Sequence, residues 1–240
     1  MLITLVTVTF NAEKTLERTL RSVESQNFSD IEHIIMDGAS TDSTVAMAES
    51  YKRRNPERSI TIVSERDKGL YDAMNKAINM ARGKFVCFLN AGDKLHAADT
   101  LDKIASAVSL HPDAGVIYGD TDIVDDNGTK LRSRRLSPPE HLNWKSFRNG
   151  MLVCHQAFYA NRSIIPPYDN QSYRFSADFD WCIRIMKKAA TKSIPLINSH
   201  EILADYLSEG MTTANHKASL RERFNIMKKH YGLFTTLLQH

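Results

Sequence analysis

Between Glu65 and Asp93 the sequence changes character twice and then stops on a carboxylate. A polar stretch gives way to Met74, Ala77, Ile78 and Ala81 at i, i+3, i+4, i+7, which is one face of a helix. Phe85-Val-Cys-Phe-Leu89 follows as an unbroken apolar run of strand length. A strand without polar alternation is covered on both faces, as in parallel sheets. Parallel strands need crossover connections, so this segment predicts a strand–helix–strand chain rather than a hairpin fold. Open parallel sheets bind ligands beyond the carboxyl ends of their strands, and Asn90, Ala91, Gly92 and Asp93 stand at such an end. The same residue types also make ordinary turns.

The plan repeats upstream. Residues 2–10 form an apolar, β-branched run, followed by Asn11 as an expected helix N-cap and by Leu16, Leu20 and Val23 at helical spacing. Residues 31–36 read as a third strand, residues 37–42 as a turn, and Val45, Ala48 and Tyr51 as the inner face of another helix. The expected fold is α/β with a mixed, mainly parallel sheet, and the right-handed crossover rule leaves few ways to wind it. Three strand ends then converge: Thr9-Phe10-Asn11, Asp37-Gly38, and residues 90–93. Downstream the sequence predicts a helix carrying Leu101, Ile104 and Val108, a strand over 115–119, a hairpin turning at Asn127-Gly128, and a strand over 151–159.

Five segments carry a family resemblance in order: Val-Thr-Val-Thr-Phe-Asn-Ala-Glu at the start, Ile-Met-Asp37-Gly-Ala-Ser-Thr-Asp-Ser-Thr, Asp67-Lys-Gly-Leu-Tyr-Asp-Ala-Met-Asn-Lys, Phe-Leu-Asn-Ala-Gly-Asp93, and Ala177-Asp-Phe-Asp-Trp181. Together they resemble a bacterial family 2 glycosyltransferase of the inverting GT-A type, a Rossmann-like nucleotide-diphospho-sugar transferase. The likeness covers residues 1–210, with a nucleotide half over 1–95 and an acceptor half over 96–210, and leaves 211–240 as a helical extension. It implies transfer of a sugar from a nucleotide diphosphate, expected to be a UDP-sugar, to an acceptor hydroxyl of a glycan or lipid-linked acceptor. It also implies Mg²⁺ or Mn²⁺ on the diphosphate, because a hard divalent ion stabilises the departing charge without a proton donor.

The resemblance also distributes roles. Asp93 matches the metal carboxylate, although Asn90 and Gly92 stand where the family has further aspartates. Asp37 corresponds to the reader of a uracil-type base, with Thr9, Phe10 and Asn11 lining the same pocket. Arg66, Asp67, Asn75 and Asn90 complete the expected donor contacts. His155 and Gln156 correspond to the acceptor side. Asp178 is the expected general base, since an attacking hydroxyl is far too weak an acid to ionise unaided. Asp180 is its rival; two residues apart on a helix, the two carboxylates point in different directions. His200 and His216 are weaker metal candidates, and residues 205–213 resemble a late loop over the donor. Each of these carboxylates has a plainer alternative as a turn or helix-capping group.

With 42% hydrophobic residues, a chain of 240 residues can bury one sizeable core. The expectation is a cytoplasmic protein, with the inner membrane face as a variant, because residues 2–10 lack a basic leader and no stretch reaches membrane-spanning length. Cys87, Cys154 and Cys182 have no ligand spacing and read as buried thiols. The net charge of +3 is unevenly placed, with six basic residues against Glu140 over 127–149 and five against Glu222 over 211–240. Such patches suit anionic lipid or a lipid diphosphate. Nucleic acid is not expected, since neither patch interleaves stacking aromatics, and Gly83-Lys84 lacks the spacing of a phosphate loop. Leu220, Phe224 and Met227 predict one apolar helix face, for packing on the domain or a homodimer partner in preference to a membrane. Three function classes remain open at this level: a glycosyltransferase, another nucleotide-site enzyme such as a nucleotidyltransferase, and a silent nucleotide-binding module.

Overall fold

A computed structural model describes residues 1–208 and 216–239. Its first half is the expected repeat: β1 (Ile3–Thr9), α1 (Leu16–Glu24), β2 (Ile31–Asp37), α2 (Thr44–Arg54), β3 (Ser59–Ser64), α3 (Leu70–Met80) and β4 (Phe85–Phe88). Then come β5 (Lys94–Leu95), α4 (Thr100–Leu110), β6 (Val116–Val124), β7 (Lys130–Ser133), β8 (Phe158–Asn161), α5 (Ala177–Thr191) and β9 (Leu196–Leu207). Two further helices, α6 (His216–Tyr231) and α7 (Leu233–Gln239), follow.

Among the described residues nine strands form one sheet, ordered β3-β2-β1-β4-β8-β6-β9-β5 with β7 beside β6. The β3-β2-β1-β4 block is parallel throughout, whereas β8 runs antiparallel to both β4 and β6. The chain winds outward from β1 through β2 to β3 and then returns to the other side of β1 as β4. That reversal leaves a crevice between the tips of β1 and β4, the place where open α/β sheets take ligands.

Period-2 alternation sorts the side chains onto two faces. Val6, Val8, Ile34 and Met36 pack under α3 and α5 in one cluster with Trp181 and Tyr168. Ile3, Leu5 and Ile31 pack on the opposite face with α4, and Ile35 meets Leu16, Leu20, Ala48 and Tyr51 of α1 and α2. Both faces are therefore covered, which is why the strand sequences show no polar alternation. His33 lies on the α2 side, 1% exposed, between Thr7 and the Tyr51 hydroxyl. Burial pushes its imidazole down to about 3, so it is neutral in the fold. All three cysteines are free thiols.

Local expectations needed correction in two places. Asn11 does not cap α1, which starts only at Leu16 behind Thr15. Instead Asn11 adopts φ 47 and its side-chain oxygen accepts from the Thr41 N–H, while Glu13 and Asp42 exchange bonds with the same turn. Long-range pairing of two loops wins over a local cap. The strand expected over 151–159 begins only at Phe158, because Gly150 at φ 101 ends one 3₁₀ turn and His155–Ala157 forms another. The hairpin at Asn127-Gly128 joins β6 to β7 as expected, with Gly128 at φ 82.

Candidate functional site

The tips of β1, β2 and β3 are joined through one carboxylate. Asp37 ends β2, and its Oδ1 accepts from the Thr9 and Ser40 hydroxyls while its Oδ2 accepts from the Ser40 N–H and the Ser64 hydroxyl. Four donors fill the four lone-pair positions of a carboxylate. Burial pushes the Asp37 acid up, but these bonds outweigh it and hold the group below its ordinary value. Phe10 projects beside it, 66% exposed, an aromatic face available for stacking. Gly38 makes room for Asp67: a Cβ there would stand 2.8 Å from the Asp67 Oδ2. Asp67 itself accepts from the Gly69 N–H at 2.8 Å, and Arg66 is exposed next to it.

Asn90 to Asp93 form the turn after β4, tied to α1 by Thr19. The Thr19 hydroxyl donates to the Asp93 carbonyl at 2.6 Å and accepts from the Gly92 N–H at 2.9 Å. Gly92 has φ 105, a conformation open to glycine and costly for a side-chain-bearing residue. Asp93 is 5% exposed. Its Oδ2 accepts from the Gln156 amide at 2.6 Å and its Oδ1 from the Leu207 N–H at 3.1 Å. Burial drives its acid up to about 6 against those two bonds.

The 3₁₀ turn at His155–Ala157 explains how adjacent residues serve one site. On a strand His155 and Gln156 would face opposite ways; on the turn Gln156 reaches Asp93 while His155 Nδ1 lies 3.2 Å from Asp178 Oδ2. A carboxylate can only accept, so Nδ1 carries the proton. The His155 Nε2 faces the Asn90 side-chain amide nitrogen at 3.2 Å, and Asn90 Oδ1 is buried without a hydrogen-bond partner. Asp178 Oδ1 accepts from the Tyr71 hydroxyl at 3.1 Å. Burial raises the Asp178 acid, but the His155 bond, the nearby Arg223 charge and the Tyr71 bond pull it lower overall, so it is ionised at neutral pH.

The two carboxylates of α5's first turn part company. Asp180 is fully buried on the α6 side, bound by Arg184, by Lys229 at 3.3 Å and by His230 at 2.8 Å. Burial raises its acid, and these donors overcome that to bring it to about 2. It is a structural tie between helices. The start of α5 is held from α6 as well: the Glu222 carboxylate accepts from the backbone N–H groups of Arg174, Phe175 and Ser176 at 2.8–2.9 Å.

Other expected positions lie elsewhere. Asn75 is committed to the chain, its amide accepting from the Tyr168 N–H at 2.7 Å and donating to the Tyr168 carbonyl at 3.0 Å, so it clamps the 168 segment to α3 instead of facing a donor. His200 sits at φ 58 beside Glu140, seven residues up β9 from Leu207 and so on the order of 20 Å from Asp93. His216 is exposed at the start of α6. Of the 205–213 loop, residues 209–213 lie outside the described residues, while Asp205 pairs with Lys94 at 2.9 Å and His96 at 2.6 Å. Asp205, His96 and Asp122 form the one metal-type cluster among the described residues, but Lys94 and Lys130 already neutralise its carboxylates. Sequence reasoning missed Tyr71, Ser40, Ser64 and Glu222. Tyr71 and Ser40 stood inside quoted motifs, whereas Ser64 and Glu222 carry no signal without the fold. A cavity of about 390 Å³ opens at the start of α3, lined by Lys68, Tyr71, Asn170, Arg174 and Glu222 among others.

A parallel half-sheet with its reversal crevice, a carboxylate at the β2 tip, an oxygen-rich turn after β4 and a paired carboxylate at a later helix start define a GT-A glycosyltransferase. The model of glycosyl transferase family 2 matches residues 4–165, and the chain belongs to that family. A PGL/p-HBAD biosynthesis glycosyltransferase of Mycobacterium bovis is 34% identical over 201 residues, spanning 82% of this chain and 73% of that protein. An uncharacterized glycosyltransferase of Methanocaldococcus jannaschii is 27% identical over 191 residues, 76% of this chain and 64% of that one. Among solved structures, S. aureus TarS 1-349 in complex with UDP-GlcNAc superposes with a TM-score of 0.72 at 18% identity, over 95% of this chain but only 65% of that one. The mannosyltransferase PcManGT of Pyrobaculum calidifontis, in complex with GDP-Man and Mn²⁺, gives 0.59 at 16% identity, over 99% of this chain and 73% of that one. Of the three classes left open by the sequence, the glycosyltransferase stands.

Proposed function

We propose that the enzyme moves a sugar from a UDP-type donor to an acceptor hydroxyl of a glycan or lipid-linked glycan, with inversion, using Asp178 as general base. The observation that carries this is the Tyr71–Asp178–His155–Asn90 chain, which joins an ionised carboxylate to the turn after β4. In this reading residues 1–95 hold the donor and 96–210 the acceptor. The base stacks on Phe10 and its imide N–H reaches Asp37, the half-exposed Ser64 hydroxyl turning away to free a lone pair. Tyr71 and His155 fix both oxygens of Asp178 and leave each a free lone pair for the acceptor proton. Attack from the face opposite the leaving diphosphate inverts the anomeric carbon, and the acceptor approaches past the cavity that Tyr71 lines.

The residues fit a hard divalent ion sparingly. Asp93 and the unpartnered Asn90 Oδ1 are the oxygen donors, and the diphosphate would supply the rest. When bound, Mg²⁺ or Mn²⁺ would neutralise charge on the leaving diphosphate.

Melting curves with UDP test the reading. At saturating ligand, near 100 times Kd, stabilisation is about 2.7 kcal/mol, roughly 5–10 °C for a chain of this size. The shift is expected to be larger with Mn²⁺ than with chelator, and Asp93→Asn should remove the difference. An equal shift in chelator would overturn the metal assignment, and no shift with any nucleoside diphosphate would overturn the donor assignment.

A further inference from the structure

The α7 helix is turned inside out. Thr236 is its buried residue, fully covered, while Leu233, Phe234, Leu237 and Leu238 are 49%, 77%, 64% and 70% exposed. These four fall at i, i+1, i+4, i+5 and share one outward face. A soluble surface helix does the reverse, burying its large apolar side chains and showing its small polar ones. Isolated exposed leucines need no explanation, but four contiguous large apolar side chains on a single helix mark a contact surface.

What borders this face is positive. Against α7 packs the 3₁₀ turn Trp144–Asn149, whose Trp144 ring stacks on Tyr231 at 5.7 Å. Arg148 lies over both rings, and Lys187 stands 4.7 Å from the Trp144 centroid. Lys145, on that turn, and Lys228, whose carbonyl accepts from the Gly232 N–H just ahead of α7, are exposed. Neither Trp144–Asn149 nor the stretch from Tyr231 to Gln239 contains an acidic residue. By contrast α6 buries Ile226 and Met227 against the domain, while Leu220, expected on its inner face, is 38% exposed.

We propose that α7 inserts into the surface of a bilayer containing anionic lipid, with Phe234, Leu237 and their neighbours among the acyl chains and Lys145, Arg148 and Lys228 at the headgroups. An apolar helix face rimmed by lysine and arginine is the chemistry of interfacial binding, in which burial holds the helix and charge selects the leaflet. Protein partners complementary to so basic a rim would need an acidic groove, and this chain's described surface around α7 offers none to a second copy. No described helix is long and apolar enough to cross a membrane. The inference does not depend on the proposed donor or base.

Sedimentation of the full chain with vesicles tests it. Binding is expected to phosphatidylglycerol–phosphatidylcholine vesicles, weaker with rising salt, and at least tenfold weaker to pure phosphatidylcholine. Phe234→Ser with Leu237→Ser should lower binding tenfold or more while melting temperature and donor turnover in solution stay unchanged. A second variant, Lys145→Glu with Lys228→Glu, should erase the preference for anionic vesicles. Wild-type protein that binds neither vesicle, or a serine variant that binds as wild type does, overturns the proposal. So does a dimer in solution that the serine variant converts to monomer, because a second copy would then cover the face.

Discussion

Asp37, buried at the end of β2, and Asp178, partly buried at the start of α5, are both carboxylates at the ends of elements, yet they are held in opposite ways. The first is saturated by four neutral donors, two of them from Ser40, only three residues away. The second is held by a phenol and an imidazole contributed from α3 and from the turn before β8. Asp37 thus has its charge fixed by hydroxyl and backbone donors from three strand tips. Asp178 keeps half of its lone pairs open, and in the proposed reading those serve the acceptor. A binding group profits from saturation, which lowers reorganisation, whereas a base needs vacant lone pairs and a partner to polarise it.

The sharpest way to break this contrast is Asp178→Asn. It keeps size and hydrogen bonding but removes the basic oxygen, so kcat should fall on the order of 10² to 10⁴ with donor KM little changed. Near-normal turnover would place the base elsewhere. Asp37→Ala should act on the other parameter, raising donor KM on the order of 10- to 100-fold, the worth of one hydrogen bond to a charged group, with kcat less affected. A collapsed melting transition in its place would make Asp37 a turn residue only.

Smaller effects separate structure from chemistry within α5. Asp180→Asn should leave kcat near wild type but cost about 2 kcal/mol, roughly 4–8 °C in melting temperature, a figure discounted because Lys229 is half exposed. Its pH dependence has a definite sign. The folded acid is depressed to about 2 from an ordinary 3.8, so its contribution is fully present above about 3.8 and disappears as pH falls through about 2. Wild-type and variant melting curves should therefore converge at that acid limit, and a constant gap would mean the loss is one of packing. The smallest change is Asn75→Ala, which removes the clamp on Tyr168 and should lower stability by about 1–2 kcal/mol without altering donor KM at permissive temperature. A rise in donor KM would restore Asn75 to the donor pocket.

Legibility in the sequence followed contact distance. The β1 to β4 repeat was readable because each strand and helix announces itself within a dozen residues, and the three strand tips could be placed from that alone. The hairpin at Asn127-Gly128 was readable for the same reason. Asn11 misled because a local cap and a tie to Thr41 use the same side chain, and only the fold shows which donor is nearer. Met151 to Tyr159 misled because burial of Met151 and Val153 mimics a strand while Gly150 and the 3₁₀ turn break it. The different surroundings of Asp178 and Asp180 could be posed from helical spacing but are visible only with α6 covering one side of α5. Nothing in sequence announces that a tyrosine at 71 meets an aspartate at 178.

The grip of Glu222 on the residues ahead of α5 has a consequence for the order in which the molecule comes into being. On the ribosome the strands of the sheet and α5 itself are made before α6. The nascent chain can assemble its nucleotide crevice while the helix bearing Asp178 still lacks the carboxylate that sets its first turn. Donor recognition would thus mature before turnover does. Assaying nucleotide binding and sugar transfer on chains arrested at successive lengths would reveal that lag, and simultaneous appearance of the two would show that α5 finds its place unaided.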